Sequence, residues 1–458
     1  MTQKIDMING GIVKKIIIFT IPIMLQGILQ NLYNSADLVI VGQFAGDNAL
    51  SAVGATTTIF GVMLSLFLGI TTGVDVISSL FFGRGDNANV KKSIDTAVIL
   101  APILGVICAI IGFFCAKPVL VLMKTPIEGG VLDGATLYLK ILMAGVPFTL
   151  LFNFCSAILR TSGETKRPFI YLVASGLVNV ALNLVFVAIF DMGVAGVAIA
   201  TVISQVLSAM LILFDLARNK GLFSFNFKKI DFSWKIFGKM VLVGLPAGVQ
   251  GCAFNVSNAF LQSGVNSFGN DAIAGSTAVA TIESLLWVTL NSFINAATTF
   301  VSQNVGAKKL DRARKSCIYT LLMTAGLGVI VGLSSYLCGD LLLKIFIENN
   351  EIAMEYGRQR YSITFPFYFL AGIMGVLPGA VRGFGSSLPP SIITLLGACG
   401  VRVVWVYTVF NMYPNLTTLY LVHPITWVIT SVALFINLII AYKQAKKRIA
   451  KETNKKLA

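Results

Sequence analysis

Pro22-Ile-Met-Leu-Gln26-Gly27 returns 224 residues later as Pro246-Ala-Gly-Val-Gln250-Gly251. At the same offset Asn31 and Asn34 return as Asn255 and Asn258, and Phe44 and Asp47 as Phe268 and Asp271. Further on, Ser79 and Gly83 match Ser302 and Gly306, and Lys92-Ser93 matches Lys315-Ser316. Arg160, Gly163 and Pro168 then match Arg382, Gly385 and Pro390, so the offset drifts only from 224 to 222. A hydrophobic chain that contains itself twice reads as a two-lobed membrane transporter with its substrate handled near mid-membrane. One position breaks the pattern: Asp37 falls on Leu261. Two similar scaffolds with one carboxylate between them place the chemistry in the first.

Hydrophobic residues make up 56% of the 458 and charged residues 12%, against about 25% charged in soluble domains. The apolar stretches are continuous rather than alternating, which excludes a transmembrane β-barrel. Many exceed the roughly 20 residues that a spanning helix needs. Twelve spans are predicted, at roughly 16–43, 50–82, 94–115, 132–158, 168–190, 194–216, 236–266, 272–305, 316–338, 356–381, 391–412 and 418–442. The expected fold is therefore an all-α polytopic membrane protein. Its expected parts are an N-lobe over 1–217 (spans 1–6), a connecting segment over 218–235, a C-lobe over 236–442 (spans 7–12) and a basic tail over 443–458. Each lobe has an even number of spans, so the repeats run parallel.

The net charge of +15 is distributed as topology rather than as a nucleic-acid footprint. Alternate connections, counted from the N-terminus, hold 27 Lys and Arg. The other set holds five: Lys117, Lys124, Lys344, Arg358 and Arg360. That asymmetry places both termini in the cytoplasm of a multi-pass cell-membrane protein. The 218–235 connection interleaves cations with Phe223, Phe225, Phe227, Phe232 and Trp234, and reads as an amphipathic segment at the cytoplasmic face. No cleavable signal peptide is expected, because the first apolar run is too long and lacks a small-residue cleavage site. Seven scattered cysteines without CxxC spacing read as packing residues, and a single histidine, His423, excludes a multi-histidine metal site.

Span 1 carries a polar stripe, Gln26, Gln30, Asn34 and Asp37, at steps of four, four and three residues, hence on one helix face. A carboxylate within a span costs about 2.5–3.5 kcal/mol to insert, so it must face a polar interior. Asn179 and Asn183 lie one turn apart in span 5, Thr201 and Gln205 one turn apart in span 6, and Asn153 in span 4. Converged, these form a cavity of one acid and several neutral oxygens, open to Na⁺ or to H⁺. Each amide alone is as readily a hydrogen-bonding strut between helices. The second lobe repeats the stripe without its charge, at Gln250, Asn258 and Gln262, and carries its acid at Glu283 in span 8. Glu283 is either a binding residue or half of a structural pair with a cation such as Arg402. Asp75 is expected to cap or pair locally, and Lys140 to snorkel.

At these residues the chain resembles the multidrug and toxic compound extrusion (MATE) antiporters. The matching segments are Asn31-Leu-Tyr-Asn-Ser-Ala-Asp37-Leu-Val-Ile-Val-Gly42, Gly46 to Gly54, Arg160-Thr-Ser-Gly163, Ala198-Ile-Ala-Thr201, and Ser302-Gln-Asn-Val-Gly-Ala307 with Arg312. The resemblance covers essentially the whole chain. It implies a V-shaped pair of six-helix bundles that exports organic, often cationic, compounds in exchange for Na⁺ or H⁺. It also implies a cation-coupling site at Asp37, Asn179, Asn183 and Thr201; the other polar residues of the stripes, Gln30, Asn34, Asn153, Gln205 and Glu283, are the substrate-binding candidates. Many relatives have an acid where this chain has Asn183, which weakens the case for Na⁺. No cofactor is expected beyond the coupling ion, and no metal beyond a transported Na⁺ at Asp37. The expected partners are small organic molecules and membrane lipids, with no nucleic acid, around a monomer.

The alternative within transport is a flippase for lipid-linked or amphipathic substrates, which would favour a cation-rich cavity; Lys140 and Arg402 are the few candidates. An enzyme is not expected, since HExxH, GxSxG and paired intramembrane Asp motifs are missing.

Overall fold

The computed structural model describes residues 4–123, 125–347 and 350–457; Lys124, one of the cations counted above, lies outside the described residues. Twelve helices among the described residues are long and apolar enough to cross a membrane. They are α1 (Ile12–Phe44), α2 (Gly46–Gly83), α3 (Asn87–Leu122), α4 (Val131–Thr161), α5 (Lys166–Ile189) and α6 (Gly193–Arg218). The second copy supplies α7 (Trp234–Asn266), α8 (Asn270–Gly306), α9 (Leu310–Leu337), α10 (Glu351–Gly383), α11 (Leu388–Phe410) and α12 (Leu416–Leu457). Every predicted span has its helix. The ends run longer where polar residues continue a turn: α3 starts at Asn87, where the Asp86 carboxylate caps it by accepting from the Asn89 amide at 3.1 Å. The bonds from Asn89 hold that carboxyl below its ordinary pKa. The α12 helix continues through most of the basic tail.

Packing forms two compact units. The first comprises Met1–Asp6 and Leu25–Cys252, the second Met7–Met24 and Ala253–Ala458. The divisions within α1 and α7 fall shortly after Pro22 and Pro246, where a missing amide hydrogen weakens the helix ladder.

In the first unit α4 is the central helix, packed on α2, α3 and α6, and in the second α10 takes that place against α8, α9 and α12. The most apolar stretch of α4 is 67% buried and that of α10 is 61%, against 22–33% for the other ten spans. These two helices are equivalent in the duplication, so the repeat is one of packing as well as of sequence.

The α2–α7 crossing in the first unit depends on glycine. A Cβ on Gly69 would stand 2.1 Å from the Gly248 nitrogen, and one on Gly73 would stand 1.9 Å from the Met240 oxygen. Helix backbones touch there because small residues permit it.

The 219–233 connection is irregular. Phe223 and Phe225 are buried in the core of the first unit, and Lys91 donates to the Ser224 carbonyl. Asp75, expected to pair locally, bonds Ser79 within α2 but also reaches Arg160 of α4 at 3.6 Å. In the second unit Arg312 holds the segment ahead of α1, donating to the carbonyls of Met7 at 3.0 Å, Asn9 at 2.9 Å and Gly10 at 2.7 Å. Asn304 donates to the Met7 carbonyl as well, at 3.2 Å. The Ser302–Ala307 and Arg312 motif thus anchors the chain's first residues.

Candidate functional site

Asp37 lies seven residues from the end of α1 and is 6% exposed. Its carboxylate accepts the Asn183 amide at 2.5 Å and the Thr201 hydroxyl at 3.3 Å. Asn183 also donates to Asn179 Oδ1, and Asn179 donates to Thr201 Oγ1, each at 3.4 Å. The four residues expected to hold the coupling ion therefore form one hydrogen-bonded ring from α1, α5 and α6. Helical spacing brings this about: Asn179 and Asn183 present one face of α5 to α1 and α6. Asp37 has no ion-pair partner among the described residues. Asn183 is fully buried, and its Oδ1 has no hydrogen-bond partner among the described residues.

Directly after Asn183 the helix widens into a π-helical stretch, Leu184–Ile189. Such widenings re-aim side chains and recur at functional sites. The second copy has one at the equivalent place, Val406–Phe410, after Trp405. Below the ring lies an apolar cluster that includes Ile40, Val41, Val187, Val197 and Ala198. Tyr138 of α4 belongs to that cluster and lies within electrostatic range of Asp37. The sequence reading missed Tyr138, because a tyrosine in an apolar run carries no pattern of its own.

The substrate-binding candidates are dispersed. Gln30 and Asn34 are on the exposed surface of α1 and take no part in the ring. Asn153 donates to Thr149 in its own helix at 2.8 Å. Gln205 is half-buried against Gly145, with its Oε1 buried and lacking a hydrogen-bond partner. Glu283, in the second unit, pairs with Arg360 at 2.6 Å and accepts the Thr364 hydroxyl at 2.9 Å. Its partner is not Arg402. Arg360 had been counted with an external connection; it is 9% exposed inside α10. Its nearness to the span's start hid it. Lys140 rests over the Phe113 ring at 4.7 Å.

Twelve helices able to cross a membrane, in two repeats, and a buried acid in the first unit without an ion-pair partner among the described residues fit a multi-pass membrane transporter. The family model described as MatE matches residues 22–185 and 246–408, once in each copy. The chain belongs to that family, and it is a transporter rather than an enzyme. It is 27% identical over 391 residues to "Probable multidrug resistance protein YpnP" of Bacillus subtilis, covering 85% of this chain and 87% of the relative. It is also 27% identical to "Probable multidrug resistance protein NorM" of Thermotoga maritima, over 85% of this chain and 84% of that one. Among solved structures, "Crystal structure of MATE in the bent conformation" superposes with a TM-score of 0.85 at 21% identity, covering 100% of both chains. That likeness is one of fold.

Proposed function

We propose that this protein exports organic compounds, cationic ones among them, by antiport with Na⁺ or H⁺ through alternating access, and that the ion is taken up at Asp37. The observation that carries the reading is a 6% exposed carboxylate with only neutral partners. An ionised acid in a span costs about 2.5–3.5 kcal/mol, and either ion removes that cost by neutralising it. The donor set fits both. Na⁺ takes oxygen ligands, and Asp37, Asn179, Asn183 and Thr201 offer four, one of them the partnerless Asn183 Oδ1. H⁺ needs only the carboxylate. Relatives named for multidrug resistance and multidrug export support an exported drug as the cargo.

On this reading the protein is a monomer in the cell membrane; the excess of Lys and Arg in alternate connections supports cytoplasmic termini. The test is ethidium efflux from proteoliposomes under an imposed H⁺ gradient, an imposed Na⁺ gradient, or neither. Gradient-driven efflux supports antiport; efflux that ignores both gradients overturns it.

A further inference from the structure

The second unit holds a cation that ion coupling leaves unused. Arg402 of α11 is 4% exposed. Of its N–H donors, one makes a hydrogen bond, Nη1 to Asn258 Oδ1 at 2.9 Å. Its Nε is buried without a partner, and no carboxylate lies within ion-pair distance among the described residues. The guanidinium stands 5.8 Å from the centre of the Phe254 ring.

Arg360, nearby, is already occupied. It binds Glu283 at 2.6 Å and donates to the Ser276 carbonyl at 3.1 Å and hydroxyl at 2.5 Å. Glu283 and Arg360 are both within electrostatic range of Arg402, and both arginines are within range of His423. The cluster holds two guanidiniums and one carboxylate, which pairs with Arg360, so it is cationic even with His423 neutral.

The duplication sharpens the contrast. At the offset of 222 that matches Arg160 with Arg382, Arg360 replaces Tyr138, Arg402 replaces Val180 and His423 replaces Thr201. At the offset of 224, Leu261 replaces Asp37. The second copy has thus inverted the charge of the first copy's site. A buried arginine without a counter-ion is costly in a membrane span, and an anion offsets that cost.

We infer that Arg402, with Arg360 and His423 behind it, binds a carboxylate carried by an aromatic ligand, which the export reading above makes part of the cargo. A guanidinium fork matches a carboxylate in two parallel N–H···O bonds. The Phe254 ring, 5.8 Å from the guanidinium, gives the ligand's ring an aromatic neighbour beside the charge. Asn258, the residue Arg402 touches, is exposed, so the guanidinium is one side chain from the surface.

The experiment compares binding of 1-pyrenebutyrate with that of its neutral amide, by fluorescence anisotropy, to the purified full chain in nanodiscs. Wild type is expected to bind the acid about tenfold or more tightly than the amide, the value of a charge-assisted hydrogen bond pair. Arg402→Gln brings the ratio to within about twofold. Asn258→Asp does the same with the arginine intact, because the new carboxylate occupies it. That position is exposed, so the variant tests the site even where Arg402→Gln fails to fold. Lys140→Gln retains the preference. Equal binding of acid and amide by wild type, or a preference that survives Asn258→Asp, overturns the inference. Ethidium efflux on the same preparations separates the two readings: gradient-driven efflux without acid preference defeats this inference alone, and preference without gradient-driven efflux defeats only the antiport reading.

Discussion

Asn183 donates its amide to Asp37 at 2.5 Å, from 146 residues away in sequence, and keeps its own oxygen buried without a partner. The site therefore holds one negative charge and one neutral oxygen without a partner among the described residues. Replacing the amide by a second acid raises the charge count, on which hard-cation affinity depends. Asn183→Asp is expected to strengthen the Na⁺ dependence of efflux several-fold, and Asn183→Leu to weaken coupling to either ion. Efflux measured across Na⁺ concentration and pH checks both. An Na⁺ dependence that Asn183→Asp leaves unchanged places the choice of ion elsewhere.

The Glu283–Arg360 pair gives a stability prediction. Removing one partner of a buried pair leaves an uncompensated charge, at a cost of about 3–5 kcal/mol. Glu283→Gln should lower the thermal midpoint clearly, and Glu283→Leu with Arg360→Met should recover most of the loss. Scanning fluorimetry of the purified variants decides it; a double variant less stable than the single one contradicts the account.

Glycine positions separate contact from helix propensity. Gly69→Ala forces a methyl group into the Gly248 backbone and should cost about 1–3 kcal/mol. Gly54, in the same helix, has nothing within 4 Å of its would-be Cβ. There alanine should be neutral or stabilising by about 0.5–1 kcal/mol, because it restricts the unfolded chain. The thermal midpoint of Gly69→Ala should fall, and that of Gly54→Ala should hold or rise.

Topology is checked on a cysteine-free background. Ala450→Cys should resist an impermeant maleimide applied outside intact cells and react once the membrane is opened. Labelling from outside would place the tail on the wrong side.

Much of this was legible in the chain itself. Continuous apolar runs located all twelve helices, and the Pro22/Pro246 repeat announced two similar halves; that each packs around one central helix, α4 and α10, came only from the contacts. Asp37, Asn179, Asn183 and Thr201 stood out as polar residues in apolar helices, but so did Gln30, Asn34, Asn153 and Gln205; the resemblance to the MATE antiporters is what singled out the four. Arg360 was not legible, since a cation nine residues inside a span reads as part of the preceding connection until packing shows it buried. Nor was the division of α1 and α7 between the two units, which rests on tertiary contacts that hydropathy does not record. The π-helical turns after Asn183 and Trp405 left no trace either, because they cost one misplaced hydrogen bond and no change of residue type.

The central claim is that Asp37 is where the coupling ion acts. Removing its charge eases membrane insertion rather than hindering it, so Asp37→Asn is expected to fold and to bind ethidium. The direct measurement is ethidium efflux from proteoliposomes under imposed H⁺ and Na⁺ gradients, wild type against Asp37→Asn at equal reconstituted protein. The account predicts gradient-driven efflux by wild type and loss of at least about 90% of it in the variant, the ~1.4 kcal/mol or more expected when a charge-dependent step is removed. Wild-type gradient dependence in a folded Asp37→Asn protein would contradict it.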